Sequence, residues 1–262
     1  MKFLLTALLA STLALSAQDQ PDGDLKEKAM KEIPQFFTDI NNLNQEDRAK
    51  YQELFVRCDQ LFKQRRIFEC LETLHEIHEI YDGNPSTINL VGACYVEFRN
   101  FDKARLAFER IMKIQPDNFN VRFNLAEIDF VTESWEAALT KLTQLEKDST
   151  DDPKSQSMNS LVKFKMLLCM LKTGDAEGAK GILAKTDFLD DSPLYYYGNA
   201  AMEYFEDRGP KAEIWLARAG RIFSQAGTIA PWQDTLIEFG YIKSFYGGDL
   251  EVDQDGPIKD NE

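Results

Sequence analysis

Small and large apolar residues recur along this chain at a period of 34 residues. In the clearest copy, residues 85–118, the small residues Gly92 and Ala104 lie twelve apart, and Phe108 and Ile111 follow at helical spacing. This spacing predicts two short helices joined by a tight turn. Two helices approach closely only where side chains are small, so the small pair predicts their crossing point. The equivalent pairs are Cys58 and Cys70, Ala126 and Ala138, Leu167 and Ala179, and Ala200 and Ala212.

The period divides most of the chain into five predicted hairpins. The polar stretch from Lys147 to Asn159 predicts an exposed loop, after which the pattern resumes in a shifted register. A single hairpin cannot bury both of its faces, so each one is expected to lean on its neighbours in a stack. The predicted hairpins are 51–84, 85–118, 119–152, 160–192 and 193–226, and an amphipathic helix without a partner, 231–245, is expected to cap the stack.

Both ends of the chain differ from the hairpins. Residues 1–17 begin with Lys2, continue as a short apolar run and end in small residues, which is typical of a secretory signal peptide. No later stretch reaches the ~18 apolar residues of a membrane helix. We therefore expect an exported protein, periplasmic or secreted, and not an integral membrane protein. Residues 18–44 predict a polar leader and an N-terminal helix, with Asn44 capping the next helix, and residues 246–262 predict an acidic disordered tail.

The net charge of the chain argues against two classes of binding partner. The chain carries 30 basic and 44 acidic residues, a net charge of −14. A surface this acidic repels nucleic acid and anionic lipid, so neither is an expected partner. The 14 glycines and 9 prolines are few for a β protein rich in tight turns, which also favours helices.

The copy at 85–118 resembles the tetratricopeptide repeat (TPR) family. The flanking copies match the family consensus more loosely, and Asp129 stands where the family usually has an aromatic residue. The resemblance covers about residues 45–245. It implies an all-α fold, a right-handed α-solenoid of about five TPR-like hairpins plus a C-terminal capping helix. The consensus matches in the clearest copy are Gly92, Tyr95, Ala104, Phe108 and Pro116.

The resemblance also implies a binding face. In this family the first helix of each hairpin lines the inner face of the stack, where a protein or peptide segment binds. Many positions carried over to this chain are aromatic, and an exposed aromatic groove favours a docked partner. Alternatively, these rings belong to the core or lie beneath the N-terminal helix. The implied groove residues are Phe55, Asp59, Phe62, Asn89, Glu97, Phe123, Glu127, Phe130, Phe164, Tyr197, Tyr204 and Phe205.

Two of the four cysteines suggest a crosslink. Cys58 and Cys70 occupy the two facing small positions of one hairpin, within range of a disulfide, and an exported protein meets oxidising conditions. The alternative is two buried thiols that serve as small apolar residues. Cys94 and Cys169 lie in other hairpins and are expected to be buried thiols.

Other candidate chemistry is weak. His75 and His78 are three residues apart, which is not the spacing of a helical zinc motif, so a solvated helix face is expected. The segment from Glu251 to Glu262 resembles a calcium-binding loop but lacks a following helix, so a solvated tail is expected. We found no nucleophile, acid–base pair or phosphate-binding loop, so no catalytic residue, metal or cofactor is assigned.

These patterns support one leading hypothesis. The chain is expected to be an exported scaffold or adaptor, not an enzyme, that binds a protein or peptide segment in its inner groove. One alternative is a periplasmic holdase or envelope assembly factor. A second alternative, from a different class, is a metal-dependent protein or enzyme that uses His75 and His78 or the acidic tail. The sequence leaves the oligomeric state open.

Overall fold

A computed structural model describes residues 34–149, 153–224 and 227–243. Within these ranges every regular element is a helix, and none of the helices has the length and apolar character needed to cross a membrane. The predicted signal peptide, the leader before Pro34 and the acidic tail lie outside the described residues. The chain divides into two compact units, and the division along the sequence falls between Ile128 and Asp129, within one helix.

The helices follow one another with short connections. In the described part of the chain they are α1 Gln35–Asn42, α2 Gln45–Lys63, α3 Ile67–Ile80, α4 Pro85–Glu97, α5 Phe101–Ile114, α6 Phe119–Val131, α7 Trp135–Asp148, α8 Pro153–Thr173, α9 Ala176–Leu183, α10 Leu194–Phe205, α11 Gly209–Ile222 and α12 Ala230–Phe239.

Asparagine caps set the helix starts in the unit that ends at Ile128. The Asn44 side chain accepts a hydrogen bond from the backbone N–H of Asp47 at 2.9 Å, which confirms the predicted N-cap of α2. Asn84 and Asn100 cap α4 and α5 in the same way. These caps satisfy backbone N–H groups that a helix cannot pair internally, so α2, α4 and α5 each begin at a defined residue, whereas α3 has no side-chain cap.

The core of this unit forms where the paired helices cross. Cys58, Cys70 and Leu74 are fully buried at the first crossing. At the second crossing Gly92 faces Phe108 so closely that an added Cβ atom would lie 2.5 Å from a ring carbon. The predicted small positions therefore set the distance between the helices, as the spacing required.

A left-handed residue ends the first helix of every hairpin. The backbone φ is positive at Arg65, Arg99, Glu133, Gly174 and Asp207. Each of these residues lies five positions before the small residue of the second helix, so the turn repeats in the same register as the small pairs. This repetition confirms five hairpins built on one design, although only one of the five turns uses glycine.

One predicted loop is wrong in its extent. The loop expected from Lys147 to Asn159 is much shorter, because α7 continues to Asp148 and α8 already begins at Pro153. Pro153 fits there because the first turn of a helix needs no backbone N–H from its residues. The second helix of the fourth hairpin, α9, ends at Leu183, and irregular chain follows up to Pro193.

Candidate protein-binding face

We call the predicted groove residues of α2, α4, α6, α8 and α10 the first-helix face. These helices are the first members of the five hairpins. The face is described separately for the two units, since its residues fall on both sides of the division.

In the unit that ends at Ile128, most rings of the first-helix face are core. Phe62 and Phe123 are each 4% exposed, and Phe55 is half-buried against the hydrophobic cluster of α2 and α3. The structure therefore supports the alternative in which the rings stabilise the fold. A ring at helical spacing suits either a core or a surface groove, and its spacing alone does not distinguish them.

Two polar members of the face, Asn89 and Asp59, remain partly accessible in this unit, whereas the side chain of Glu97 is only 7% exposed. Asn124 Nδ2 donates to Asn89 Oδ1 at 3.4 Å, which links α6 to α4. Asp59 pairs with Lys63 at 2.6 Å, and Glu97 pairs with Arg65, one hairpin earlier, at 2.7 Å. Glu127 is half-buried on α6. This part of the face is thus polar and acidic, where an aromatic groove was expected.

In the unit that begins at Asp129, the rings are buried because α12 lies on them. Trp232 of α12 packs against Phe164 of α8 and Tyr197 of α10, with ring centroids 5.2 and 5.8 Å apart. Phe239, at the other end of α12, packs against Phe130 at 6.0 Å and Trp135 at 5.4 Å. In the same region Tyr241 stacks on Tyr204, with ring centroids 5.3 Å apart. Phe205, in contrast, is 44% exposed.

The C-terminal helix α12 covers more than the last hairpin. It packs on Tyr197 of α10 and also on α8 of the hairpin before it. The rings that the resemblance assigned to a partner, Phe130, Phe164 and Tyr197, are the rings that α12 covers.

Charged groups fix α12 in place. Lys165 Nζ lies 4.0 Å from Glu238 Oε2 of α12 and 4.3 Å from the centre of the Phe130 ring, with its side chain only 1% exposed. Lys172 Nζ lies 4.8 Å from the centre of the Phe239 ring. Both lysines place positive charge under α12, which suits the ring faces and the Glu238 carboxylate.

Burial also raises the pKa of two tyrosines near α12. Burial raises the pKa of Tyr197 above its ordinary range, although a hydrogen bond with Gln233 of α12 opposes the change. Burial raises the pKa of Tyr241 to about 12. Both phenols are therefore neutral throughout the physiological range and act as apolar contacts with one polar end.

A cavity of about 790 Å³ opens beside the first turn of α12. Trp232 forms one wall, and Met166 and Met170 of α8 and Ile182 of α9 form others. Gly178 and Gly181 widen the cavity on the α9 side, and the chain after α9 forms its rim. The Trp232 side chain thus lies between the ring cluster and an open space.

The cysteines of the first hairpins form a buried thiol cluster. Cys58 and Cys70 are both thiols, each Sγ being turned toward the carbonyl oxygen of the other residue at 3.7 and 3.5 Å, so the disulfide left open by the sequence is not formed. Cys94 Sγ lies 3.6 Å from Cys70 Sγ, a contact that the sequence did not indicate. Hydrogen bonding to Cys70, followed by burial, raises the pKa of the Cys58 and Cys94 thiols, so both stay protonated. Cys169 is a separate buried thiol.

The two histidines have different surroundings. His75 is exposed, whereas His78 is half-buried and its Nε2 lies 3.1 Å from Thr87 Oγ1 of α4. His78 therefore joins two hairpins, where a solvated face was expected. Among the residues that the structure describes, no group of three or more His, Cys, Asp and Glu side chains is placed to hold a metal ion. The calcium-like segment lies outside those residues.

Sequence reasoning missed Lys165 and the docking of α12. A signal was present, because Lys165 lies between apolar Phe164 and Met166, and Glu238 lies between apolar Ile237 and Phe239. A single charge in each of two apolar faces suggests that the two faces pair.

No protein-family model matches the chain, and no curated protein matches it in sequence. Several solved structures match it in fold. MamA from Desulfovibrio magneticus RS-1 is 14% identical with a TM-score of 0.53, and the match covers 68% of this chain and 97% of MamA. PilF from Pseudomonas aeruginosa is also 14% identical with a TM-score of 0.52, over 75% of this chain and 94% of PilF. YrrB, a TPR protein with an unusual peptide-binding site, is 16% identical with a TM-score of 0.46, over 64% of this chain and 84% of YrrB.

These solved structures are all TPR-repeat proteins. At such identities the likeness to MamA and PilF, each with a TM-score above 0.5, establishes the fold alone, and the repeated left-handed turns and small helix crossings support it from the chain's own residues. The chain has the tetratricopeptide-repeat fold that its sequence predicts.

Proposed function

We propose that this chain is an exported, non-enzymatic scaffold that binds a segment of another protein on its first-helix face. The observation that carries the proposal is the TPR fold, which favours a protein-interaction scaffold. Such an arrangement suits a long, narrow partner segment because it offers contacts from several hairpins in a row.

The accessible polar residues support a polypeptide as the ligand. Asn89 is half-exposed, and its contact with Asn124 uses one of its hydrogen-bonding positions. A side-chain amide has two donors and an acceptor, so Asn89 can also bind a peptide group of a partner. Asp59, whose side chain is 28% exposed, lies on the same face, and together with the net charge of −14 it favours a basic segment.

Binding is tested by crosslinking from defined positions. A photo-crosslinking residue at Asn89 is compared with one at Leu106, which is 67% exposed on a second helix, α5. We expect discrete crosslinked partners from Asn89 and none of them from Leu106, identified by mass spectrometry in cells that express the chain. Identical products from both positions would contradict a role of the first-helix face.

Export is supported by the pattern of residues 1–17. We expect the full chain, expressed in a bacterial host, to be recovered outside the cytoplasm with a mass that begins at Gln18. Recovery of the uncut chain from the cytoplasm alone would overturn this part of the proposal, while leaving the binding face untouched.

A further inference from the structure

We propose that α12 is an internal occupant of the binding face, and that the external partner for this region is an amphipathic helix with the same two aromatic anchors. The proposal deepens the function proposed above and rests on it. It assigns the partner class from the contacts that α12 makes, and it assigns α12 the role of a competitor for that partner.

The anchors of α12 are spaced for one helical face. Trp232 and Phe239 are seven residues apart, which is two turns of helix, and they are 4% and 5% exposed. Leu236, between them, is fully buried. An amphipathic helix binds a groove through anchors at such spacing, and here polar Gln233 and Thr235 are buried beside the anchors.

The acidic residue of α12 adds specificity. Glu238 directly precedes the second aromatic anchor and lies 4.0 Å from Lys165. Lys172 Nζ lies 4.8 Å from the centre of the Phe239 ring, at the same end of α12. A partner helix that carries an aromatic residue, five further residues, an acidic residue and a second aromatic residue would reproduce every one of these contacts.

The docking of α12 is separable from the rest of the unit. The helix has only ten residues, and isolated helices shorter than ~12–15 residues are marginal in water, so packing keeps it ordered. Its first anchor, Trp232, borders the cavity of about 790 Å³ on one side. A single short helix opens at a lower free energy than the whole unit unfolds, and a competing helix can then bind.

An internal occupant lowers the apparent affinity for a competitor. The dissociation constant observed for an added helix equals the intrinsic value divided by the fraction of molecules in which α12 is undocked. Weakening α12 therefore raises the affinity for an added helix, provided that the hairpins stay folded.

The test uses the full chain and a fluorescein-labelled peptide with the sequence of residues 227–243. We compare the wild type, the variant Trp232→Ala/Phe239→Ala, and the control Ile214→Ala/Ile222→Ala, whose two side chains are 53% and 55% exposed on α11. By fluorescence anisotropy we expect the anchor variant to bind the peptide about tenfold more tightly, or better, than the wild type and the control. A peptide with both anchors changed to alanine should not bind. If Trp232→Ala/Phe239→Ala is folded but binds the peptide no more tightly than the wild type, the proposal is overturned.

A measurement on the wild type covers the case in which the anchor variant does not fold. By hydrogen exchange, we expect the amides of α12 to exchange faster than those of α8 and α10, and excess peptide to accelerate α12 alone. Exchange of all three helices at one rate, unchanged by peptide, overturns the proposal. Peptide binding without any partner crosslinked from Asn89 would refute the proposed function separately from this inference.

Discussion

Lys165 of α8 and Glu238 of α12 form an ion pair, with Nζ and Oε2 4.0 Å apart and the lysine side chain 1% exposed. The pair joins the buried charge of α8 to the helix that covers the rings of this unit. A buried charge is costly unless a partner compensates it, so this lysine makes the docking of α12 specific.

We predict that Glu238→Gln destabilises the protein by about 1–3 kcal/mol, because Lys165 loses its compensating carboxylate. The expected loss of stability is moderate because Lys165 Nζ and Glu238 Oε2 lie at the limit of ion-pair distance. Urea unfolding of the purified full chain measures the change in the free energy of unfolding.

Two controls test whether the loss of stability in Glu238→Gln arises because a buried lysine is left without its carboxylate. The double variant Lys165→Met/Glu238→Leu should recover most of the loss, since it removes both buried charges. Glu177→Gln removes the carboxylate of the exposed Glu177–Lys180 pair on α9, which is 2.7 Å long, and should leave stability unchanged within error. Equal losses for Glu238→Gln and Glu177→Gln would contradict our interpretation of the Lys165 contact.

The left-handed turns lead to a second prediction. Glu133 is exposed at a φ of 60°, where a side chain costs about 1–2 kcal/mol, and the same position of the next hairpin is Gly174. We expect Glu133→Gly to stabilise the protein by about 0.5–1 kcal/mol after the entropy of glycine is included, and Gly174→Ala to destabilise it by about 1 kcal/mol. Thermal unfolding by circular dichroism measures both changes.

The control for this prediction lies three residues further on. Glu136 is in the first turn of α7, where the backbone is helical, so Glu136→Gly should destabilise the protein. If Glu133→Gly and Glu136→Gly lower the melting temperature by the same amount, the left-handed turn carries no strain.

A third prediction concerns the contact between α4 and α5. An added methyl group at Gly92 would meet the Phe108 ring at 2.5 Å, so Gly92→Ala should destabilise the protein by about 1–3 kcal/mol. Gly220 of α11 has open space around the same position, so Gly220→Ala should stabilise by up to about 1 kcal/mol through helix propensity. Denaturant unfolding of the two variants should give changes of opposite sign, and a loss at both sites would contradict a specific role for the α4–α5 crossing.

The hairpin design could be predicted from the sequence because each hairpin contacts its neighbours in a repeated way. The small positions Cys70, Ala104 and Ala138 are fully buried at the period that predicted them. The docking of α12 could not be predicted in this way, since Trp232 and Phe164 are joined by a contact that occurs once in the chain. A period reveals repeated contacts and carries no information about a single one.

The first-helix face shows a second limit of the pattern. The sequence assigned Phe62, Phe123 and Asn89 to the same face, yet the two rings are buried and the amide is half-exposed. Helical spacing gives the direction of a side chain around its own helix. The depth of that side chain depends on neighbouring helices, here α12 for the rings of α8 and α10.

The final prediction concerns pH. Burial is the main cause that lowers the pKa of His78, and Arg110 adds to the effect while Asp82 opposes it. The folded protein therefore keeps His78 neutral at a pH where the unfolded chain, with an ordinary histidine pKa of about 6.5, takes up a proton. Because the unfolded state binds more protons in this window, stability should fall as the pH decreases from above 6.5 toward the lowered pKa of His78, and level off below it.

The variant His78→Gln tests this linkage because glutamine can still hydrogen-bond to Thr87 but does not titrate. We expect the free energy of unfolding of His78→Gln to lose the part of its pH dependence that arises between about pH 7.5 and 5.5, where the histidine of the unfolded chain titrates. His75→Gln, three residues away on the exposed side of α3, should keep most of the wild-type dependence, because the charge of His75 is the smallest of the causes that act on the pKa of His78. Since Asp82 and Arg110 also lie near this site, a slope that is the same in the wild type and in His78→Gln would assign the pH dependence to other groups and remove His78 as its source.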